Sequence, residues 1–181
     1  MLPSSSNLFV LIQHGVKYLD NHKIENSRNE IEWFCEEQFQ RPLVQLKSDY
    51  NIQLSLKEKK IFKNFLLRRG NQEPFQYIMQ SAPFYNNIFF VNKSVLIPRP
   101  ETETFIRVLK GKNFNEALDI GTGCGNLAIT LKKEKIVKKI DAIDVSEEAL
   151  VVAKKNSQKL NVDNIIFQKK NILHDKINKK Y

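Results

Sequence analysis

The sequence predicts an α/β fold, a parallel sheet with covering helices set behind an all-helical N-terminal part. Three observations carry that prediction. Helical periodicity and helix-capping residues dominate up to about residue 82. Aromatic and β-branched runs broken by Asn-rich turns follow over residues 83–100. From residue 101 onward, short apolar runs alternate with amphipathic segments in β-α-β-α-β order, and a glycine-rich turn joins the first strand to the first helix. Such alternation implies parallel strands joined by helical crossovers.

The N-terminal part contains three helical signals. Leu8, Ile12, Val16 and Leu19 share one helical face, and the polar stretch 20–26 ends that segment. Ser27 with Glu30 reads as a capping box ahead of Ile31, Phe34 and Cys35. Ser55 with Glu58 repeats the pattern before Ile61, Phe62, Phe65 and Leu66, and Gly70 supplies a stop. A small helical bundle is the economical interpretation. Beyond it, 84–85, 88–91 and 95–97 read as short strands separated by turns. Pro98 and Pro100 then force extended backbone before a helix over about 102–109.

Composition narrows the function classes. With 41% hydrophobic and 27% charged residues, there is enough apolar material for a core and no sign of a disordered or fibrous chain. The apolar run 8–12 is too short for a signal peptide or a spanning helix, so no membrane association is expected and the cytoplasm is. Two distant cysteines, Cys35 and Cys124, indicate neither a disulfide framework nor a metal site. The net charge of +9 invites a nucleic-acid partner. Its lysines, however, are spread along the chain, and the densest run, 132–139, reads as a solvated helix end, so direct nucleic-acid binding is not expected.

The chemistry concentrates in residues 117–144. Residues 117–120 read as a strand, 126–133 as a helix, 140–144 as a strand, 146–160 as a helix and 165–167 as a third strand. Between the first strand and helix lies Asp119-Ile120-Gly121-Thr122-Gly123-Cys124-Gly125. Alternate glycines let backbone approach a ligand closely and permit positive φ. Dinucleotide folds favour GxGxxG, whereas GxGxG with an acid two residues ahead suits a ligand without a pyrophosphate. Asp144 ends the second strand at about the spacing, 20-odd residues, where an acid reaches ribose hydroxyls. Its alternative role is to cap the next helix, for which Ser146 is the better placed. The segment therefore reads as a binding core for S-adenosylmethionine.

Four blocks resemble one family, the release-factor glutamine methyltransferases: Arg68-Arg69 through Glu73-Pro74-Phe75-Gln76-Tyr77-Ile78; Phe84-Tyr85; Val95-Leu96-Ile97-Pro98-Arg99-Pro100-Glu101-Thr102-Glu103; and Leu118 through Gly125. The proline block is the most specific of them. The resemblance implies a class I methyltransferase, Rossmann-like sheet at 101–181, a β-hairpin and proline linker at 83–100, and a helical substrate-docking domain at 1–82. It implies methyl transfer from S-adenosylmethionine to the glutamine amide of the Gly-Gly-Gln loop of peptide-chain release factors, and an association with the ribosome. By position, Gly121, Thr122, Gly123, Cys124 and Gly125 would line the methionine part of the cofactor. Asp144 would bind ribose, and Asn171 and Ile172 would sit beside adenine, Asn171 standing where the family often has an acid. Gln80 and Asn86 stand where the family commonly has glycine.

In this family an Asn-Pro-Pro-Tyr motif after the fourth strand grips the acceptor amide. Residues 1–181 hold no such motif, so no catalytic residue is assigned. The sequence is expected to be C-terminally truncated or partial, with an incomplete sheet and no transfer activity alone. Two other functions stand beside this one: an adenine-N6 nucleic-acid methyltransferase, which would grip an exocyclic amine by the same motif, and a non-catalytic cofactor- or partner-binding module.

Overall fold

The structure, a computed structural model, describes residues 3, 5–42, 44–45, 49, 51–177 and 179–181. The chain divides into two compact units, Met1–Met79 and Gln80–Tyr181. Among the described residues, no helix is long and apolar enough to cross a membrane. They also contain no cluster of His, Cys, Asp and Glu that could hold a metal ion.

The first unit is built from helices α1 (Leu8–Asn21), α2 (Ser27–Phe39), α3 (Leu56–Gly70) and the short α4 (Phe75–Met79). Leu11, Leu19, Ile31, Phe34, Phe62 and Phe65 are buried together at its centre. Phe34 and Phe65 stack with centroids 4.1 Å apart. A Cβ at Gly15 would lie 3.1 Å from Ile31 Cδ1 and 3.1 Å from Phe62 Cζ, so glycine there lets α1 approach α2 and α3. The arginines of the first family block are structural. Arg69 Nε donates to Glu30 (2.6 Å), tying α3 to α2, and Arg68 holds Glu73 through two bonds of 2.8 and 2.7 Å.

The two capping signals fared differently. Ser55 and Glu58 form the full reciprocal box at the start of α3. The Ser27 box does not form: Asn26 is the N-cap, and the Ser27 hydroxyl donates to Asp20 instead. The Asp20 carboxylate, brought beside the buried Ser27 across the α1–α2 turn, outcompetes the local cap.

The second unit opens with a hairpin, β1 (Ser81–Phe84) and β2 (Asn87–Phe90), antiparallel with Ala82 opposite Phe89. A 3₁₀ turn (Pro100–Thr102) leads into α5 (Glu103–Leu109). Strands β3 (Phe114–Ile120), β4 (Val137–Asp144) and β5 (Ile165–Lys169) alternate with α6 (Asn126–Lys133) and α7 (Glu147–Lys159). The strands are parallel in the order β3-β4-β5, with Leu118 beside Asp141 and Asp141 beside Ile166. The hairpin packs into this unit: Phe84 and Phe89 are buried in one cluster with Ile106, Ile129, Ile140 and Ala142. Lys133 Nζ donates to Asn87 Oδ1 (2.6 Å) and Tyr85 N donates to Glu103 (2.9 Å), fixing the hairpin to α6 and α5.

Residues 95–97 are not a strand. Ser94 N donates to Asn92 Oδ1 (3.0 Å) and Val95 N to Asn92 O (3.2 Å), so the chain turns there, and neither sheet of the described residues includes it. Val95 is buried as an anchor while Leu96 is exposed.

The two departures from glycine also separate. Gln80 lies at φ 52°, a left-handed conformation, whereas in the hairpin turn the positive φ (47°) falls on Tyr85 rather than Asn86. A side chain held left-handed is strained by about 1–2 kcal/mol. Gln80→Gly is therefore expected to stabilise the protein by up to about 1 kcal/mol, the larger backbone entropy of unfolded glycine offsetting part of the relief. Urea denaturation measures it; an unchanged or lower midpoint would count against strain at this residue.

Candidate cofactor site

The turn between β3 and α6 is shaped by its hydrogen bonds. Gly121 N and Thr122 N both donate to Ile143 O (2.8 and 3.0 Å), and Gly125 N donates to Thr122 O (2.8 Å). Gly121, Gly123 and Gly125 all have positive φ, at 73°, 55° and 80°. Two of them serve different ends. A Cβ on Gly121 would meet nothing within 4 Å, which leaves open space over the loop for a ligand. A Cβ on Gly125 would lie 2.9 Å from Ile129 Cδ1 and 3.2 Å from Ala153 Cβ, so this glycine lets α6 and α7 approach each other at the loop.

Two carboxylates flank the loop. Asp144 Oδ2 accepts from Gly123 N (2.9 Å) and Oδ1 accepts from Ser146 N (3.0 Å). Ser146 caps α7 through its hydroxyl, which accepts from Ala149 N (3.1 Å), so the cap belongs to the serine. Asp119 accepts from the Thr122 hydroxyl (2.8 Å). Burial pushes the Asp119 carboxyl above its ordinary range; bonds from Thr122 and Ala128 N–H pull it down, and the Asp144 charge adds to the rise.

That rise has a sign for stability. Between the ordinary carboxylate pKa and the raised one, the folded chain binds more protons than the unfolded chain, so stability falls as pH rises through that window. Above it the penalty is constant. Asp119→Asn should flatten this slope when unfolding free energy is measured from acid to neutral pH in the absence of ligand. A wild-type slope that Asp119→Asn leaves unchanged would contradict it.

An open cavity of about 240 Å³ lies over the loop. It is walled by Ile97, Pro98, Arg99 and Thr102 on one side and by Asp119, Gly121, Thr122, Gly123 and Cys124 on the other, with Asn126 and Leu127 at the helix start. Whole-ligand pockets run to about 300–1,000 Å³, so this one suits one end of a larger ligand. Cys124 is buried, and desolvation pushes its thiol up to about 11, which makes it a packing group rather than a nucleophile.

Of the residues singled out in the sequence, Gly121, Thr122, Gly123 and Cys124 line the cavity, and Gly125 lies behind it. Asp144 reaches the loop from the end of β4. Asn171 and Ile172 do not line the cavity. They follow β5, where Lys170 N donates to Asp144 O (2.9 Å), and the Asn171 side chain accepts from Leu173 N (3.0 Å). Asp119 and Arg99 belong to the motifs, but the sequence marks them only as an acid ahead of the glycines and a basic residue between prolines, and it takes the structure to place them in the cavity wall. Asn156 had no signal at all. It is fully buried in α7, donating from Nδ2 to Cys124 O and Phe90 O (both 2.9 Å) and accepting at Oδ1 from Phe90 N (2.7 Å).

Residues 11–79 match the PrmC N-terminal domain family and residues 100–181 the Methyltransferase small domain family. The release factor glutamine methyltransferase of Leptospira interrogans is 34% identical over 156 residues, covering 83% of this chain and 54% of that protein. The protein of the same name from Enterococcus faecalis is 47% identical over 90 residues, covering 48% of this chain and 32% of that one. A solved S-adenosylmethionine-dependent methyltransferase from Clostridium acetobutylicum aligns with a TM-score of 0.36 and 25% identity, over 45% of this chain and 32% of that one. The chain thus spans about half or less of the length of the curated relatives it matches. With the two family models side by side along it, the chain joins a PrmC N-terminal domain to a Methyltransferase small domain, and it is similar over most of its length to proteins named release factor glutamine methyltransferase.

Proposed function

We propose that this chain is the methyl-donor half of an enzyme that methylates the glutamine side-chain amide in the Gly-Gly-Gln loop of peptide-chain release factors. The observation that carries the reading is the loop clasped by Asp144 at Gly123, with the cavity walled by the loop and the 97–99 segment. S-adenosylmethionine, when bound, supplies an electrophilic methyl group on a sulfonium.

The residues present fit that ligand. The open space over Gly121 admits the methionine end without a Cβ in the way. Burial pushes the Asp119 carboxyl up, and a cationic ligand group beside it would lower it again and favour its charged form. Arg99, across the cavity, supplies a guanidinium for the amino-acid carboxylate. Asp144 holds the loop with one lone pair on each oxygen and keeps the others for the ribose hydroxyls. Asn171 and Ile172, beyond β5, take the adenine edge. The helical unit docks the protein substrate.

Catalysis in such a site is largely positioning, because the acceptor nitrogen must be aimed in line with the methyl group. Residues 1–181 contain no Asn-Pro-Pro-Tyr sequence to aim it. The 181-residue chain is therefore expected to bind cofactor without transferring methyl groups.

The test is a transfer assay with S-[methyl-³H]adenosylmethionine and a purified release factor. The 181-residue chain should leave the release factor unlabelled. Fused to the downstream half of the Leptospira relative, it should add one methyl group to the glutamine of the Gly-Gly-Gln peptide, read by mass spectrometry. Labelling by the 181-residue chain alone would overturn the half-site assignment. Labelling of adenine in nucleic acid, with the release factor untouched, would overturn the substrate.

A further inference from the structure

We propose that Asn156 is a positioning residue that sets the two walls of the cofactor cavity from a single side chain, so that cofactor affinity and the seating of the β-hairpin are thermodynamically coupled. The proposal rests on the cofactor reading of the cavity given above.

The side chain is fully buried and its amide is used on both sides. Nδ2 donates to Cys124 O (2.9 Å) in the glycine loop and to Phe90 O (2.9 Å) at the end of β2, while Oδ1 accepts from Phe90 N (2.7 Å). Only one orientation of the amide works. Flipped, it would set an oxygen against two carbonyls and an N–H against an N–H.

What those partners control gives the arrangement its function. Cys124 belongs to the loop whose other face lines the cavity, and Gly125 beside it packs on Ala153 of the same helix α7. Phe90 does not line the cavity, but it is the last residue of β2, and a short run of chain leads from it to Leu96, Ile97, Pro98 and Arg99 in the opposite wall. Lys155 adds a second hold on that strand end, its ammonium 3.3 Å from the Phe90 ring centroid. Cys124 O accepts from Asn156 Nδ2, a donor that comes from α7 and not from the loop itself. A buried network of this kind acts as a unit, and loosening one member loosens the rest.

Asn156→Asp keeps the shape and removes both donors, leaving two buried carbonyls facing a carboxylate. Losing hydrogen bonds of this kind from a ligand-holding loop should weaken S-adenosylmethionine binding to the 181-residue chain by about tenfold or more in calorimetry. Gly111→Ala serves as the control, since Gly111 (φ 83°) is strained by any side chain yet lies away from the loop, with nothing within 4 Å of a Cβ. It should lower stability and leave the dissociation constant within about twofold, which a merely structural role for Asn156 would also do.

Hydrogen exchange of the wild-type chain keeps the proposal testable should Asn156→Asp fail to fold. Linkage is reciprocal, so S-adenosylmethionine should slow exchange at Phe90 N–H, outside the cavity, along with Gly123 N–H inside it. Unchanged affinity in Asn156→Asp, or protection of Gly123 without protection of Phe90, would overturn the role of Asn156 while leaving the cofactor site standing. A wild-type chain that shows no heat and no protection would overturn both.

Discussion

Gly125→Ala is expected to destabilise the protein by about 2–4 kcal/mol, because it meets two independent penalties. The backbone there is left-handed, at φ 80°, which a side chain resists by about 1–2 kcal/mol. The added Cβ would also sit 2.9 Å from Ile129 Cδ1 and 3.2 Å from Ala153 Cβ, and overpacking of a close helix approach typically costs about 1–3 kcal/mol. Gly111→Ala separates the two, since its φ is similarly positive at 83° but its surroundings are empty. Urea denaturation should therefore show a larger loss at Gly125 than at Gly111. Equal losses would mean that α6 and α7 yield freely and that the glycine serves backbone conformation alone.

The second large effect is expected from Asp144→Asn, and it falls on ligand affinity. Each carboxylate oxygen accepts a backbone N–H, from Gly123 and from Ser146, so an amide in either orientation turns an NH₂ toward a donor. The loop loses its clasp and the ribose loses its charged acceptor in one change. Hydrogen bonds to charged groups contribute about 1.5–3 kcal/mol, so S-adenosylmethionine binding should weaken by roughly ten- to hundredfold. Asp144→Glu makes a useful companion, since it keeps the charge and moves it by one methylene. A dissociation constant indifferent to both substitutions would remove Asp144 from the site.

The strands and helices of the second unit were legible because their signals are local and mutually consistent. Asn126–Lys133 begins just after Gly125 and ends in paired lysines, and Ser146 caps α7 as its position suggested. The same logic failed at Ser27, where the pattern was right but Asp20, seven residues back, took the hydroxyl; a capping box cannot be judged without knowing what the fold brings beside it. Val95 to Ile97 read as a strand on composition, yet a strand needs a partner edge, and the Asn92 turn points the segment toward the cavity instead.

The site divides along the same line. Glycine spacing and a carboxylate at the next strand end can be seen in sequence because they are set by the βαβ geometry itself. Asp119 could be seen as a residue but not as a carboxyl raised by burial, and Arg99 could be seen as a motif member but not as a cavity wall. Asn156 was invisible for a physical reason. A polar residue in a lysine-rich amphipathic helix reads as solvated, and only the packing of β2 across α7 turns it inward.

The most direct test of the whole account is calorimetric titration of S-adenosylmethionine into the 181-residue chain and its Asp144→Asn variant. A saturable single-site isotherm that the substitution weakens by about tenfold or more would support a preformed donor site built from the glycine loop and the β4 carboxylate. Absence of binding by the folded wild-type chain, or binding that Asp144→Asn leaves unchanged, would contradict it.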